Sequence, residues 1–163
     1  MRIANIAAKM IEISRGNLHD IEHFLKVHAY ARLIGQLEQL APDRQFILEA
    51  AALLHDIACP LCRQTYGHTH GKQQELLGMP LAQEFLSKFD LPAETVERIV
   101  FLVGHHHTLA QIDGIDYQIL IEADYLANAS ENGYAKEIIQ RFLDRFCKTA
   151  SGAQLLRAAF CLA

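Results

Sequence analysis

The sequence has no basic surplus. Its 15 lysines and arginines stand against 19 acids, a formal net charge of −4. That argues against a general nucleic-acid binder, whose footprint is an excess of positive charge. Cysteine is sparse: Cys59, Cys62, Cys147 and Cys161 are four in 163 residues. They are too few for a disulfide framework, and without a secretory signal they read as reduced thiols. No uninterrupted apolar stretch approaches the roughly 20 residues of a membrane helix. The first residues, Met1 to Ile13, are interrupted by charges and lack a small-residue cleavage site. These absences predict a cytoplasmic protein with no membrane partner. Strand pairs, repeats, low-complexity tracts and long linkers are also missing. What is present is 51% apolar and 21% charged residues, enough to bury the core of one domain spanning 1–163.

The periodicity is helical nearly throughout. Ile3, Ile6, Ala7 and Met10 recur at helical spacing in a first helix, about 3–14, which Gly16 and Asn17 end, with Asn17 a fair N-cap for the next. Further helices are expected over about 18–40, from Pro42 to near Pro60, over 71–89 with a kink or split at Gly78 and Pro80, and from Pro92 to about His106. The segment Cys59 to Thr69 reads as a loop, as does Thr108 to Asp116. Helices over about 117–129, 135–146 and 152–162 complete an all-α bundle of seven to eight helices. Its core is expected over 18–130, with the C-terminal helices of 131–163 packing on it.

Three polar positions fall on apolar faces. Asp124 shares a helical face with Leu120, Ile121 and Ala127. An unpaired carboxylate there would sooner take up a proton, so a retained one needs a cation, either a basic side chain or a metal. His55 follows Leu48, Ala51 and Ala52 and is succeeded by Asp56 at the end of its helix. His23 heads the stripe Val27, Ala31 and Ile34. Singly, each has a bland explanation: an ion pair, a polar cap, a satisfied core histidine. Together, two imidazoles and two carboxylates from different helices make an N/O ligand set for a divalent cation.

The order His23, then His55-Asp56, then Asp124 resembles the HD-domain superfamily of metal-dependent phosphohydrolases. His23-Phe-Leu-Lys-Val27 with Ala31 looks like the family's opening helix, Ala51-Ala52-Leu53-Leu54-His55-Asp56-Ile57 like its His-Asp helix, and Glu122-Ala123-Asp124 like its last ligand. The resemblance covers about 18–130. It implies that His23, His55, Asp56 and Asp124 hold one or two divalent ions such as Fe, Mn, Mg or Zn. From His105-His106-His107 it implies that His105 and His106 bind a second metal or the substrate phosphate, leaving His107 exposed. His70, with His105 and His106, would complete that second site. Lys72, near a helix N-terminus, could hold a phosphate, although a solvated lysine is the default there.

Some family features are absent. Ala58-Cys59 replaces the Gly-Lys that often follows His-Asp-Ile, so Lys72 or Arg63 would have to supply the cation. Cys59-Pro60-Leu61-Cys62-Arg63 offers no added acid, which disfavours deoxynucleoside monophosphates and the stringent-response nucleotide as substrates. The Gly-Tyr-Pro signature of cyclic-di-GMP phosphodiesterases is missing. Cys59-x-x-Cys62 lacks the further soft ligands of a structural zinc and reads as plain thiols. The expected activity is hydrolysis of a nucleotide or other small phosphate ester by a metal-activated water, with Asp56, Lys72, His105 and His106 as catalytic groups. An HD-type di-iron oxygenase and a non-catalytic metal- or nucleotide-binding sensor are the alternatives. A homodimer is compatible with the terminal helices.

Overall fold

The computed structural model describes residues 2–162, and among them every regular element is an α-helix. In chain order these are α1 (Arg2–Ile13), α2 (Leu18–Leu37), α3 (Pro42–Leu54), α4 (Cys59–Tyr66), α5 (Gly71–Leu86), α6 (Ala93–Val103), α7 (Ile115–Glu131), α8 (Lys136–Arg145) and α9 (Ala150–Phe160). The one unexpected helix is α4, in the segment read as a loop. Pro60 lies in its first turn, where a proline's fixed φ and missing N–H cost nothing. Cys59 and Cys62 form its buried face, and Gly67 closes it at φ 73°. In α5 the helix runs on through Pro80, which lies on the exposed face. Gly78, on the packed face, lets α6 approach so closely that a Cβ would meet Val103 at 3.0 Å.

Helix α3 is the hub, packed by α1, α2, α6 and α7. Leu48 and every residue from Ala50 to Leu54 are fully buried. Its three consecutive alanines keep the helix thin, so neighbours close in from all sides and no polar face is needed. Residues Pro42–Tyr66, although interrupted by charges, are long enough and contain an 18-residue window apolar enough to span a membrane by composition (mean hydropathy 1.3), but 67% of that window is buried inside the fold. The buried acid of this hub, Glu49, accepts hydrogen bonds from His28 (3.0 Å) and Gln45 (2.9 Å).

Two buried carboxylates on α7 tie the periphery to the core. Asp116, 1% exposed, accepts a bidentate pair from Arg98 of α6 (2.7 and 2.9 Å) and a third bond from Arg44 of α3 (3.1 Å). Burial alone would raise its pKa, but the Arg98 hydrogen bonds and charge outweigh this and hold it below the ordinary 3.8. A depressed carboxylate adds stability above its unfolded pKa, and that stability is lost as pH falls through the folded value. Asp116→Asn should therefore cost about 3 kcal/mol at neutral pH and flatten the acid limb of a Tm-against-pH curve. An unchanged acid limb would place the acid sensitivity elsewhere. The second carboxylate, Glu122, is fully buried. It accepts from Gln118 Nε2 (2.7 Å), the backbone N–H groups of Lys148 (2.7 Å) and Thr149 (3.0 Å), and the Thr149 hydroxyl. That arrangement fixes the turn into α9, which packs on α7 and α2.

Candidate metal centre

The His55-Asp56 pair falls in the break between α3 and α4, where Ile57 N–H bonds Leu54 C=O (2.9 Å) and Cys59 N–H bonds Asp56 C=O (2.9 Å). These i→i−3 bonds tighten the turn, and both side chains meet the polar groups of α2 and α7. His23 Nε2 lies 3.2 Å from His55 Nε2, 3.2 Å from Asp124 Oδ1 and 3.5 Å from Asp56 Oδ2. His55 Nε2 lies 3.4 Å from Asp124 Oδ1 and 3.6 Å from Asp56 Oδ2. Atoms bound about 2.1 Å from one ion stand roughly 3.0–3.4 Å apart in octahedral or tetrahedral geometry; three of these separations fall in that range, and the two to Asp56 Oδ2, 3.5 and 3.6 Å, lie just beyond it.

The imidazoles are oriented for that purpose. His55 Nδ1–H donates to Ala52 C=O (2.8 Å), His23 Nδ1–H to Glu131 Oε2 (2.7 Å) and His106 Nδ1–H to Val103 C=O (2.8 Å). Each bond fixes the tautomer and leaves Nε2 as the free lone pair. His106 Nε2 is buried with no hydrogen-bond partner and points at Asp56 Oδ1, 3.5 Å away. An orphaned buried nitrogen facing a carboxylate oxygen marks a place where a cation fits. Asn128 Nδ2 donates to Asp124 Oδ1 (2.7 Å) and so orients the last carboxylate.

The electrostatics agree. Burial lowers the His23 pKa, but the Asp124 hydrogen bond and the charges of Asp56 and Asp124 overcome this and raise it to about 9. Burial raises Asp56 and Asp124, yet the surrounding imidazoles drive both well below the carboxylate range. Two ionised acids in a buried pocket thus hold a proton where an ion would sit. His107 behaves oppositely: burial, then repulsion by His106, lowers it to about 4.

Asp56, His106 and His107 form a second group able to hold an ion, beside the group His23, His55 and Asp56. The structure therefore sets His106 and His107 beside Asp56, and turns His105 away. His105 stacks on Phe101 (centroids 4.1 Å), donates from Nδ1 to Phe101 C=O (2.7 Å), and its own carbonyl accepts the Tyr117 hydroxyl. Because α6 ends at Val103, the next four residues form a turn and not further helix, and this turn sends the three rings in different directions. His107, though exposed overall, donates from Nε2 to Gln74 Oε1 (3.0 Å) and packs its ring where a Gly71 Cβ would be. His70 stacks on His68 (3.7 Å) in an exposed position, and Lys72 is exposed on the first turn of α5. Neither lines the clefts that reach the centre.

Two clefts do so. One, ≈ 310 Å³, holds His23, Asp56 and Asp124 in its wall, with Arg63 of α4 and its partner Asp20. The other, ≈ 530 Å³, runs from Asp124, His106 and His107 between α7 and α8. Asp124, Asn128 and His107 belong to both. Sequence reasoning missed Glu131, Asn128, Gln74 and the inward role of His107. Asn128 was accessible as the residue four beyond Asp124, whereas Glu131 meets His23 across 108 positions with no local signal. Glu131 also binds Lys26 Nζ (2.7 Å). Glu131→Ala should weaken metal affinity about 10–100-fold. Lys26→Ala, which leaves the His23 bond intact, should do less, as competition with a chromophoric chelator would show.

With this geometry the family assignment follows: the chain belongs to the HD-domain family, whose sequence model matches residues 20–129. The bifunctional uridylyltransferase/uridylyl-removing enzyme of Ralstonia nicotianae is 34% identical over 70 residues, which are 43% of this chain and 7% of that protein. The chain thus spans a small part of that relative's length. The crystal structure of a predicted HD superfamily hydrolase from an uncultured Thermotogales bacterium matches with a TM-score of 0.68, covering 98% of this chain and 84% of that one at 22% identity. The two share the all-α fold.

Proposed function

We propose that the protein is a metal-dependent phosphohydrolase acting on a nucleotide or other small phosphate ester. The observation that carries this reading is the convergence of His23, His55, Asp56 and Asp124, with the imidazole tautomers fixed by Glu131 and Ala52. These four groups would hold a divalent ion, which would supply Lewis-acid polarisation of a phosphoryl oxygen and a more acidic water near neutral pH. Asp56 divides its two oxygens, Oδ2 toward His23 and His55 and Oδ1 toward His106. Held well below the carboxylate range, Asp56 is a weak base, so a neighbouring histidine stands beside it as a candidate to accept the proton of the attacking water. His106 and His107 flank it and are placed to meet charge growing on the phosphoryl oxygens. Asn128, at the junction of both clefts, orients Asp124 and closes the wall. The cationic role expected of Lys72 passes to Arg63, which lines the smaller cleft.

The second group, Asp56, His106 and His107, favours a two-ion arrangement and keeps the di-iron oxygenase reading in contention. Elemental analysis of the purified protein, then phosphate release from nucleotides and simple esters with each metal, separates the readings. Bound divalent metal with phosphate release is the expected result. Iron with oxygen uptake and no phosphate release would overturn the proposal in favour of an oxygenase, and metal without turnover would favour a sensor.

A further inference from the structure

The larger cleft has a chemistry the metal centre does not require. Its outer wall is one face of α8, formed by Ile138, Arg141, Phe142 and Arg145 at helical spacing, followed by Phe146. Phe142 stacks flat on Tyr125 of α7 (3.5 Å, 3°), and Tyr134 leans against Tyr125 (5.8 Å). Helix α8 packs chiefly on α9, so the space beside this aromatic seam stays open. Arg141 donates from Nε to Glu137 C=O (3.3 Å), and among the described residues neither Arg141 nor Arg145 forms an ion pair. The neighbouring acid Asp144 takes the Gln140 amide instead (2.8 Å). Of the residues lining the cleft, the only acid is Asp124, which faces the centre. The result is an aromatic and aliphatic trough with two uncompensated guanidiniums, opening directly onto His106 and His107. All of α8 lies beyond residues 20–129, so this wall falls outside the matched family segment.

We propose that the α7–α8 cleft is a recognition subsite, in which Arg141 and Arg145 select ligands with a second anionic group besides the phosphate at the metal centre. The ring surfaces of Tyr134 and Phe146 take a planar base. This deepens, and rests on, the phosphohydrolase reading, and it names the ligand class as nucleoside di- and triphosphates. Guanidinium forks match phosphate oxygens in geometry and charge, and a cavity of this size accommodates a nucleotide.

The test is calorimetric binding to the metal-loaded full chain. Its probes are methylene-bridged di- and triphosphates of the four ribonucleosides, the matching monophosphates, and methylene-bridged tripolyphosphate without a base. The best nucleoside di- or triphosphate should bind about tenfold or more tightly than both its monophosphate and the base-free polyphosphate. The double variant Arg141→Ala/Arg145→Ala should erase the preference over monophosphate while leaving metal content unchanged. Tyr134→Ala should erase the preference over base-free polyphosphate. Both variants change exposed side chains, so the fold should persist. The inference is overturned if monophosphates or bare polyphosphate bind as tightly as the nucleoside polyphosphates, or if the arginine variant keeps the preference. In those cases retained metal and phosphate release from simple esters would leave the phosphohydrolase reading standing. Wild-type protein without metal would instead remove the reading on which the inference rests.

Discussion

Asp124→Ala should leave the protein unable to retain its metal and reduce phosphate release by more than the roughly 10–100-fold that loss of an outer partner costs. Asp124 Oδ1 faces both His23 and His55, so its removal takes away the anion against which two imidazoles are arranged. The far-UV CD spectrum should change little, because α2, α3 and α7 are held by a continuous apolar core that the substitution does not enter. Asp124→Asn keeps an oxygen but not the charge and should fall between wild type and alanine. A pH dependence accompanies this. In the ion-free protein His23, normally at 6.5, is raised to about 9. Its contribution to stability is therefore complete below 6.5 and lost as pH rises through about 9. Metal must displace that proton, so apparent affinity should increase with pH up to about 9. Calorimetric titration in two buffers of different ionisation enthalpy reads the proton release directly. Full occupancy in Asp124→Ala, or metal uptake without proton release, would remove this residue or this protonation from the site.

The largest effect on stability is expected at Glu122, two residues from Asp124 on α7 yet facing the opposite way. Its four donors, Gln118 Nε2, two backbone N–H groups and the Thr149 hydroxyl, are buried or nearly so. Glu122→Ala strands them at once. Each unsatisfied buried donor costs about 1–3 kcal/mol, and allowing for relaxation and water entry the variant should lose about 3–5 kcal/mol. For a chain of this size that lowers Tm by roughly 6–15 °C. Glu122→Gln preserves shape but turns an NH₂ toward groups that are themselves donors, so it should recover only part of the loss. The metal content of whatever remains folded should be normal, which separates this variant from Asp124→Ala. A Tm within a degree or two of wild type would show that the turn into α9 is held by packing alone.

The fold was legible because its determinants are periodic. The apolar stripes of α2, α3 and α7 repeat at helical spacing, and Asn17 caps α2 as its residue type suggests, its side chain accepting from Asp20 N–H (3.2 Å). Helix α4 was not legible, since Pro60, Gly67 and the polar run between them are the composition of a loop. Burial of Cys59 and Cys62 against the core decides the matter. In the site, the positions that stand out are polar groups placed on apolar faces, which is why His23, His55, Asp56 and Asp124 could be read. The histidine triplet could not be apportioned, because direction in a turn depends on backbone angles that periodicity does not carry. Glu131 was hidden, and Arg63 could be named only as an alternative to Lys72, for a different reason. Each occupies an ordinary polar position on its own helix and becomes part of the site only when α7 and α4 dock on α2.

That docking has a temporal consequence. The groups that would hold an ion come from α2, from the turn after α3 and from α7, and the carboxylate that aims the first of them closes the last helical turn of α7. A chain emerging from the ribosome cannot assemble this constellation until α7 has been made through Glu131, so ion capture has to wait for that helix. An ion held there would act as a clasp between early and late segments, and whatever loosened α7 would also let it go.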